Sequence, residues 1–338
     1  MTRQTFRLAP FAAALFAASG GALAQTVLNV STWLPPAHGA TMAQNQWCEA
    51  VEKETKGSVK CHLLPKAVSA PPGTFDAVRD GLADVSYTVD GYTPGRFIFT
   101  QVAEFPFLGD TSTATSVAYQ RIYDKYFAPL GEHRGVKTLA VFTHGPGIIF
   151  TVKQPVTSAA EAAKLKFRIG GGNINELSKL MGWNTTLKPA TDSFELLSTG
   201  VMDGTFFPDE SLQSMRLGMV KYATTFPGGL YNTSFVFMMN QAKFDSLKPE
   251  EKAAITKVSG EHAARLFAAG WDRTDAASRD IQKTTGVQRQ MANEAFVNDV
   301  KAKQAQLEDK WVAAAEARGL KNARAVLAEF RAETQKLK

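Results

Sequence analysis

The chain has 338 residues, of which 44% are hydrophobic and 21% charged, with a formal net charge of +6. That length buries a sizeable core and suggests two lobes, and the composition is that of a globular protein rather than a disordered or fibrous one. No block of like charge stands out, so there is no nucleic-acid footprint, and two cysteines with five scattered histidines show no metal-ligand spacing.

The first residues read as a secretory signal peptide over 1–24. Arg3 and Arg7 form a basic leader, residues 8–18 a short apolar run, and Ala22-Leu23-Ala24 a small-x-small cleavage site before Gln25. The run is too short to span a bilayer, and Gln25 stands where a lipoprotein would need Cys. The expectation is an exported, unanchored chain in the periplasm of a Gram-negative bacterium. Removing Arg3 and Arg7 takes the charge from +6 to +4. Export permits a disulfide between Cys48 and Cys61, with two buried free thiols as the alternative.

Residues 27–32 alternate as a strand, and Trp33-Leu34-Pro35-Pro36-Ala37-His38-Gly39 breaks it. A helix over about Thr41–Thr55 and a strand with Val59, Cys61 and Leu63 complete a βαβ unit, which implies a parallel sheet. Pro71-Pro72-Gly73 opens a helix to Leu82, and Gly81-Leu82-Ala83-Asp84 leads into Val85–Val89. The pattern returns later: a helix opened by Pro189, then Gly200-Val201-Met202-Asp203, then Gly204–Phe207. In both segments Phe lies six before the Gly and Asp three after it, as two similar lobes would place them.

Between the two segments come the turn Phe105-Pro106-Phe107-Leu108-Gly109, a helix over about Ser112–Tyr126 and the strand Val136–Phe142. Ile148–Val152 is a strand able to cross between lobes. Leu165-Lys166-Phe167-Arg168-Ile169 is a short apolar strand that delivers one arginine and ends on three glycines, 170–172. A guanidinium at a strand end can grip a carboxylate with two parallel hydrogen bonds, and glycines admit close approach of backbone and ligand. Leu212–Met219 reads as helix and Thr233–Met239 as a fully buried strand. From Pro249 to about Lys283 the pattern is one helix of about 50 Å with Ile255, Val258, His262, Leu266 and Ala269 on one face, long enough to span two lobes. Glu294–Arg318 and Ala323 onward are the last helices.

No catalytic motif is present: no Gly-x-Ser-x-Gly, no His-Glu-x-x-His, no phosphate loop. The glycine run lacks the dinucleotide spacing, and no cofactor is implied. His144 and His38 are the tempting bases, but neither has an assignable nucleophile, and each reads as a loop residue or pocket wall. The pattern is that of a binding protein, not an enzyme. Its ligand would lie between lobes beyond the carboxyl ends of the strands. Those ends present Trp33, Asp90 and Tyr92 from one lobe, and Arg168, Phe207, Asp209 and Glu210 from the other. Asn173 and Asn232 are further candidates at loop ends.

The chain resembles the DctP-type solute-binding proteins of TRAP (tripartite ATP-independent periplasmic) transporters. The likeness rests on His38-Gly39 after the opening strand, the Gly81…Asp84 turn, Glu104-Phe105-Pro106-Phe107-Leu108, Leu165–Ile169, Thr199–Gly204 and Leu247-Lys248-Pro249-Glu250-Glu251, in that order. It implies an α/β two-lobe clamshell, each lobe a mixed, mostly parallel sheet flanked by helices, with a long helix across both. Lobe I would comprise 25–147 with about 235–275, and lobe II 148–234 with about 276–338. It also implies a monomer that captures an organic acid and delivers it to a permease of small and large membrane subunits. Arg168 falls where the family's carboxylate-gripping arginine stands.

Two departures bear on the ligand. Many sialic-acid and dicarboxylate binders of the family carry another Arg where this chain has Ile148, and often Asn where it has Phe207. Both changes remove polar partners. The expectation is a monocarboxylate with an apolar or aromatic portion, walled by Trp33, Tyr92 and Phe207, with a C4-dicarboxylate or sugar acid as the alternative. Asp209 and Glu210 either accept hydrogen bonds from ligand hydroxyls or cap the next helix.

Overall fold

The computed structural model describes residues 25–337, so the signal-peptide reading over 1–24 lies outside the described residues. Eleven strands form two mixed sheets among these residues. The first contains β1 (Thr26–Val30), β2 (Val59–Leu63), β3 (Val85–Val89), β4 (Val136–Thr143) and β10 (Ser234–Asn240) in the order β2-β1-β3-β10-β4. The second contains β5 (Ile148–Thr151), β6 (Lys166–Ile169), β7 (Asn184–Leu187), β8 (Gly204–Phe207), β9 (Tyr222–Thr225) and β11 (Gln288–Met291) in the order β11-β9-β5-β8-β6-β7. One strand in each runs against both neighbours: β10 between β3 and β4, and β5 between β8 and β9. The chain therefore crosses from one sheet to the other after β4, after β9 and again through the helices that precede β11.

The repeated Gly-x-x-Asp turns have one physical explanation. Gly81 and Gly200 both take positive φ (+80° and +73°), a conformation glycine adopts without steric penalty. Asp84 then accepts the Asn29 N–H on its carboxylate at 2.7 Å and donates its own N–H to Asn29 O. Asp203 does the same to Lys166, at 2.9 Å for the carboxylate contact. In each sheet the aspartate thus fixes the register of one parallel strand beside the next.

The expected 50 Å helix is two helices, Pro249–Lys257 and Glu261–Thr285. Gly260 breaks the run at φ +59°, and its N–H goes to Leu139 O. The break shifts the register, so His262 is exposed and the buried face runs through Ala264, Phe267, Ala268, Trp271, Asp275, Ser278 and Gln282. The second helix, about 38 Å long at 1.5 Å per residue, still touches both halves. Phe267 stacks on Phe142 of β4 at 4.2 Å, and Asp272 caps the helix Ser112–Ile122 through the N–H groups of Ser112 and Thr113. Ser278 and Gln282 hold Asp209 beyond β8. Leu212–Met219 is helical only over Ser211–Ser214. The sequence pattern does not mark the helices Asn173–Met181 and Gln241–Ser246 or strands β7, β9 and β11.

The three glycines after β6 do not all face a ligand. Gly171 and Gly172 take φ +87° and +72° and abut the first half of the molecule. A Cβ on Gly171 would stand 2.3 Å from Gly91 O, and one on Gly172 would stand 2.1 Å from Glu104 Oε2. The close approach joins the two sheets at this point. Glu104 accepts the N–H groups of Asn173 (2.7 Å) and Ser234 (3.2 Å) and the Ser234 hydroxyl (2.6 Å). Gly172→Ala should therefore cost about 2 kcal/mol or more, from a backbone region closed to L-residues and a displaced buried carboxylate. Thermal unfolding beside Gly218→Ala, where an added Cβ meets nothing, checks this, and equal midpoints would refute the joint.

Cys48, in the helix Gly39–Glu54, is bonded to Cys61 of β2. The bond closes a short loop, for which chain entropy gives about 3 kcal/mol. Reductant should lower the melting temperature by several degrees. An unmoved transition with both thiols titratable would contradict that contribution.

Candidate ligand-binding site

The carboxyl ends of β1, β3, β4, β6 and β8, with the residues entering β10, converge on a cavity between the sheets. Its wall includes Trp33, Tyr92, His144, Arg168, Phe207 and Glu210, and with them His38, Tyr231, Phe235 and Trp271.

Arg168 is 2% exposed. Strand β6 presents it between the buried Phe167 and Ile169, and its carbonyl accepts the Thr205 hydroxyl of β8. Its Nε donates to Lys188 O at 2.8 Å, which orients the fork, and its guanidinium lies 4.4 Å over the Phe207 ring. Among the described residues no carboxylate forms an ion pair with it. Burial draws its pKa down, with Tyr92 and Tyr231 acting the other way, but an arginine stays charged in a protein. A buried charge without a counter-charge is costly. The arrangement suits a planar anion with two acceptor oxygens.

The rings nearby are fixed by their own bonds. Trp33 Nε1 donates to Tyr87 O at 2.9 Å, and its ring lies 5.9 Å from that of Tyr92. The Tyr92 hydroxyl accepts the Ala190 N–H at 3.0 Å. Ile148 pairs with Phe207 across β5 and β8, so the two departures from the family pattern sit side by side. His144 has Nδ1 against the Gly145 carbonyl, and burial pushes its pKa down to about 4, leaving the ring neutral.

Four expected residues are turned away from this cavity. Asp209 is held by Arg289, Arg279 and Gln282. Asp90 pairs with His133 at 3.0 Å. Asn173 opens its helix, and its side chain donates to Gln101 O. Asn232 braces the loop after β4, its amide donating to the carbonyls of His144 and Gly145. Asp90 and Asp209 are occupied by side chains and Asn173 and Asn232 by backbone, roles that a strand-end position does not distinguish from ligand contact. Tyr231 and Trp271 were not expected. Trp271 shares a helical face with Phe267 and Asp275, and that period of three to four is the signal that would have found it.

A family profile described as DctP, bacterial extracellular solute-binding protein, family 7, matches residues 30–314. A TRAP periplasmic solute-binding protein from Bordetella bronchiseptica, with bound (R)- and (S)-mandelate, is 42% identical, with a TM-score of 0.90 over 93% of this chain and 100% of that one. A marine-metagenome TRAP solute-binding protein specific for aromatic acid ligands, in complex with 3-hydroxybenzoate, is 31% identical, with a TM-score of 0.86 over 93% and 99%. A TRAP solute-binding protein from Rhodoferax ferrireducens, with copurified benzoate, is 27% identical, with a TM-score of 0.85 over 92% and 98%. With that profile matched across both sheets and the same clamshell in each of these structures, this chain belongs to the DctP family of TRAP periplasmic solute-binding proteins.

Proposed function

We propose that this protein captures a small organic acid with one carboxylate and an aromatic or apolar remainder, and delivers it to the small and large membrane subunits of a TRAP permease. The observation that carries this reading is Arg168, a buried cation that forms no ion pair among the described residues, on a wall rich in aromatic rings. Arg168 would grip the carboxylate, and Phe207, Tyr92 and Trp33 would enclose the remainder with large rigid surfaces. The solved relatives that hold mandelate, 3-hydroxybenzoate and benzoate support the same class of ligand. A C4-dicarboxylate is less well served, because Ile148 and Phe207 supply no second cationic or polar partner.

The space at the centre of the cavity is about 40 Å³, well below the roughly 150 Å³ of a cavity that admits benzene. An aromatic acid would therefore enter by opening of the halves. The lobes proposed for this hinge are 25–147 with about 235–275, and 148–234 with about 276–338. The working place is the periplasm, after cleavage of the leader, and the working unit a monomer.

Titration calorimetry on protein freed of carried-over ligand, together with a thermal-shift panel, tests the reading. Aromatic monoacids at 100 times their dissociation constant should add about 2.7 kcal/mol. Arg168→Ala should weaken binding by about 2 kcal/mol or more. Arg168→Lys should restore only part of that loss, because an ammonium cannot make the parallel pair of bonds. Unchanged affinity in Arg168→Ala would remove the carboxylate grip. Stabilisation by C4-diacids or sugar acids alone would keep the family but refute the aromatic wall.

A further inference from the structure

The cavity has a second group of polar atoms that the carboxylate grip does not use. His38 precedes the helix Gly39–Glu54 and accepts the Ala40 N–H on Nδ1 at 3.0 Å. In the neutral ring the proton is therefore on Nε2. That nitrogen stands 3.3 Å from Glu210 Oε1, yet makes no aligned hydrogen bond among the described residues. Trp271 is 3% exposed, and its Nε1–H also has no acceptor among them. A buried indole N–H ordinarily finds one. The Trp271 ring meets His38 edge-on at 4.8 Å, and both residues line the cavity with Glu210.

Glu210 is held in place from three sides. Ser211 Oγ donates to its Oε1 at 2.7 Å, His38 stands opposite, and its backbone N–H donates to Asp275 Oδ1 at 2.8 Å. Burial opposes its charge, but His38 and Ser211 outweigh burial and hold the carboxyl below its ordinary range. The second group is thus one anion, an indole N–H with no acceptor among the described residues, and a histidine N–H whose nearest acceptor, Glu210, is poorly aligned.

Building on the carboxylate-and-ring reading above, we propose that His38, Glu210 and Trp271 form a second recognition point that binds a hydroxyl of the ligand and turns away a second carboxylate. A hydroxyl both donates and accepts. It can give its proton to Glu210 and take a hydrogen bond from Trp271 Nε1 or His38 Nε2. A carboxylate has nothing to donate and would stand beside the Glu210 anion in a low-dielectric site. An acid with no hydroxyl leaves the two donors bare, and sites built to hydrogen-bond a hydroxyl discriminate strongly against analogues that lack it. The ligand class is an aromatic hydroxy acid with a single carboxylate.

The test is calorimetry with matched probes: mandelate against phenylacetate, 3-hydroxybenzoate against benzoate, and isophthalate as the diacid. In the wild-type protein the hydroxy acid of at least one pair should bind about tenfold more tightly than its partner, and isophthalate should bind more weakly than benzoate. Trp271→Phe and Glu210→Gln should each shrink the hydroxyl ratio to below about threefold. Glu210→Gln should also raise isophthalate relative to benzoate. Ratios near one for both pairs in wild type, or ratios unmoved by both variants, overturn the proposal. If a variant does not fold, the wild-type ratios decide it. If no aromatic acid binds the wild type, the aromatic-acid reading fails and this inference with it. If the members of each pair bind alike, that reading stands and only this inference falls.

Discussion

A charge shut away from water without a partner is the constraint around which this molecule is arranged. Arg168 cannot shed its proton, and its one backbone acceptor, Lys188 O, satisfies only Nε. A cation so placed with no ion-paired carboxylate is unfavourable, and on the proposed reading a ligand carboxylate would relieve it. Phe207 lends its ring face to the guanidinium, a contact that steadies the cation without occupying its donors.

That arrangement depends on the two sheets meeting closely enough to close the cavity. Apolar clusters run across both sheets, and backbone with one carboxylate adds a close joint between them. Gly91 faces Gly171 and Gly172, and Glu104 gathers donors from Asn173 across the joint and from Ser234 of β10 on its own side. Burial pushes Glu104 up to about 7 despite those three hydrogen bonds. At the other edge the long helix does the same work through Asp275, which accepts the Glu210 N–H and leaves no room for a Cβ on Gly145. The loop that ends β8 is thereby fixed to an element that also packs on β4.

Much of this was legible in the sequence, because it rests on local rules. The Gly-x-x-Asp turns, the strand that carries Arg168 and the Cys48–Cys61 pair all follow from residues near one another in the chain. What was not legible depends on register and on partners far away. The helix expected from Pro249 onward breaks at Gly260, and one glycine in the left-handed region rotates every later residue to a new face. Trp271 reached the cavity through that rotation. Short strands such as Asn184–Leu187 and Gln288–Met291 are polar and partly exposed, so they lack the alternation that marks a strand. Asp90 and Asp209 stand at strand ends like true site residues. Only the positions of His133 and Arg289 show that their carboxylates already have partners.

On the proposed reading, the contrast between Asp209 and Glu210 would carry the specificity of the site. The two carboxylates are adjacent in sequence and equally buried. Asp209 faces outward, where Arg289 and Arg279 neutralise it. Glu210 faces inward, against a histidine and a serine. A fully matched ion pair offers a ligand little, whereas an anion with one histidine and one serine beside it keeps lone pairs to accept a proton donor. Set against Arg168 within one small cavity, it gives the pocket two ends of opposite sign. A molecule negative at both ends meets attraction at one and repulsion at the other. One with a carboxylate, a ring and a hydroxyl meets a partner at each point.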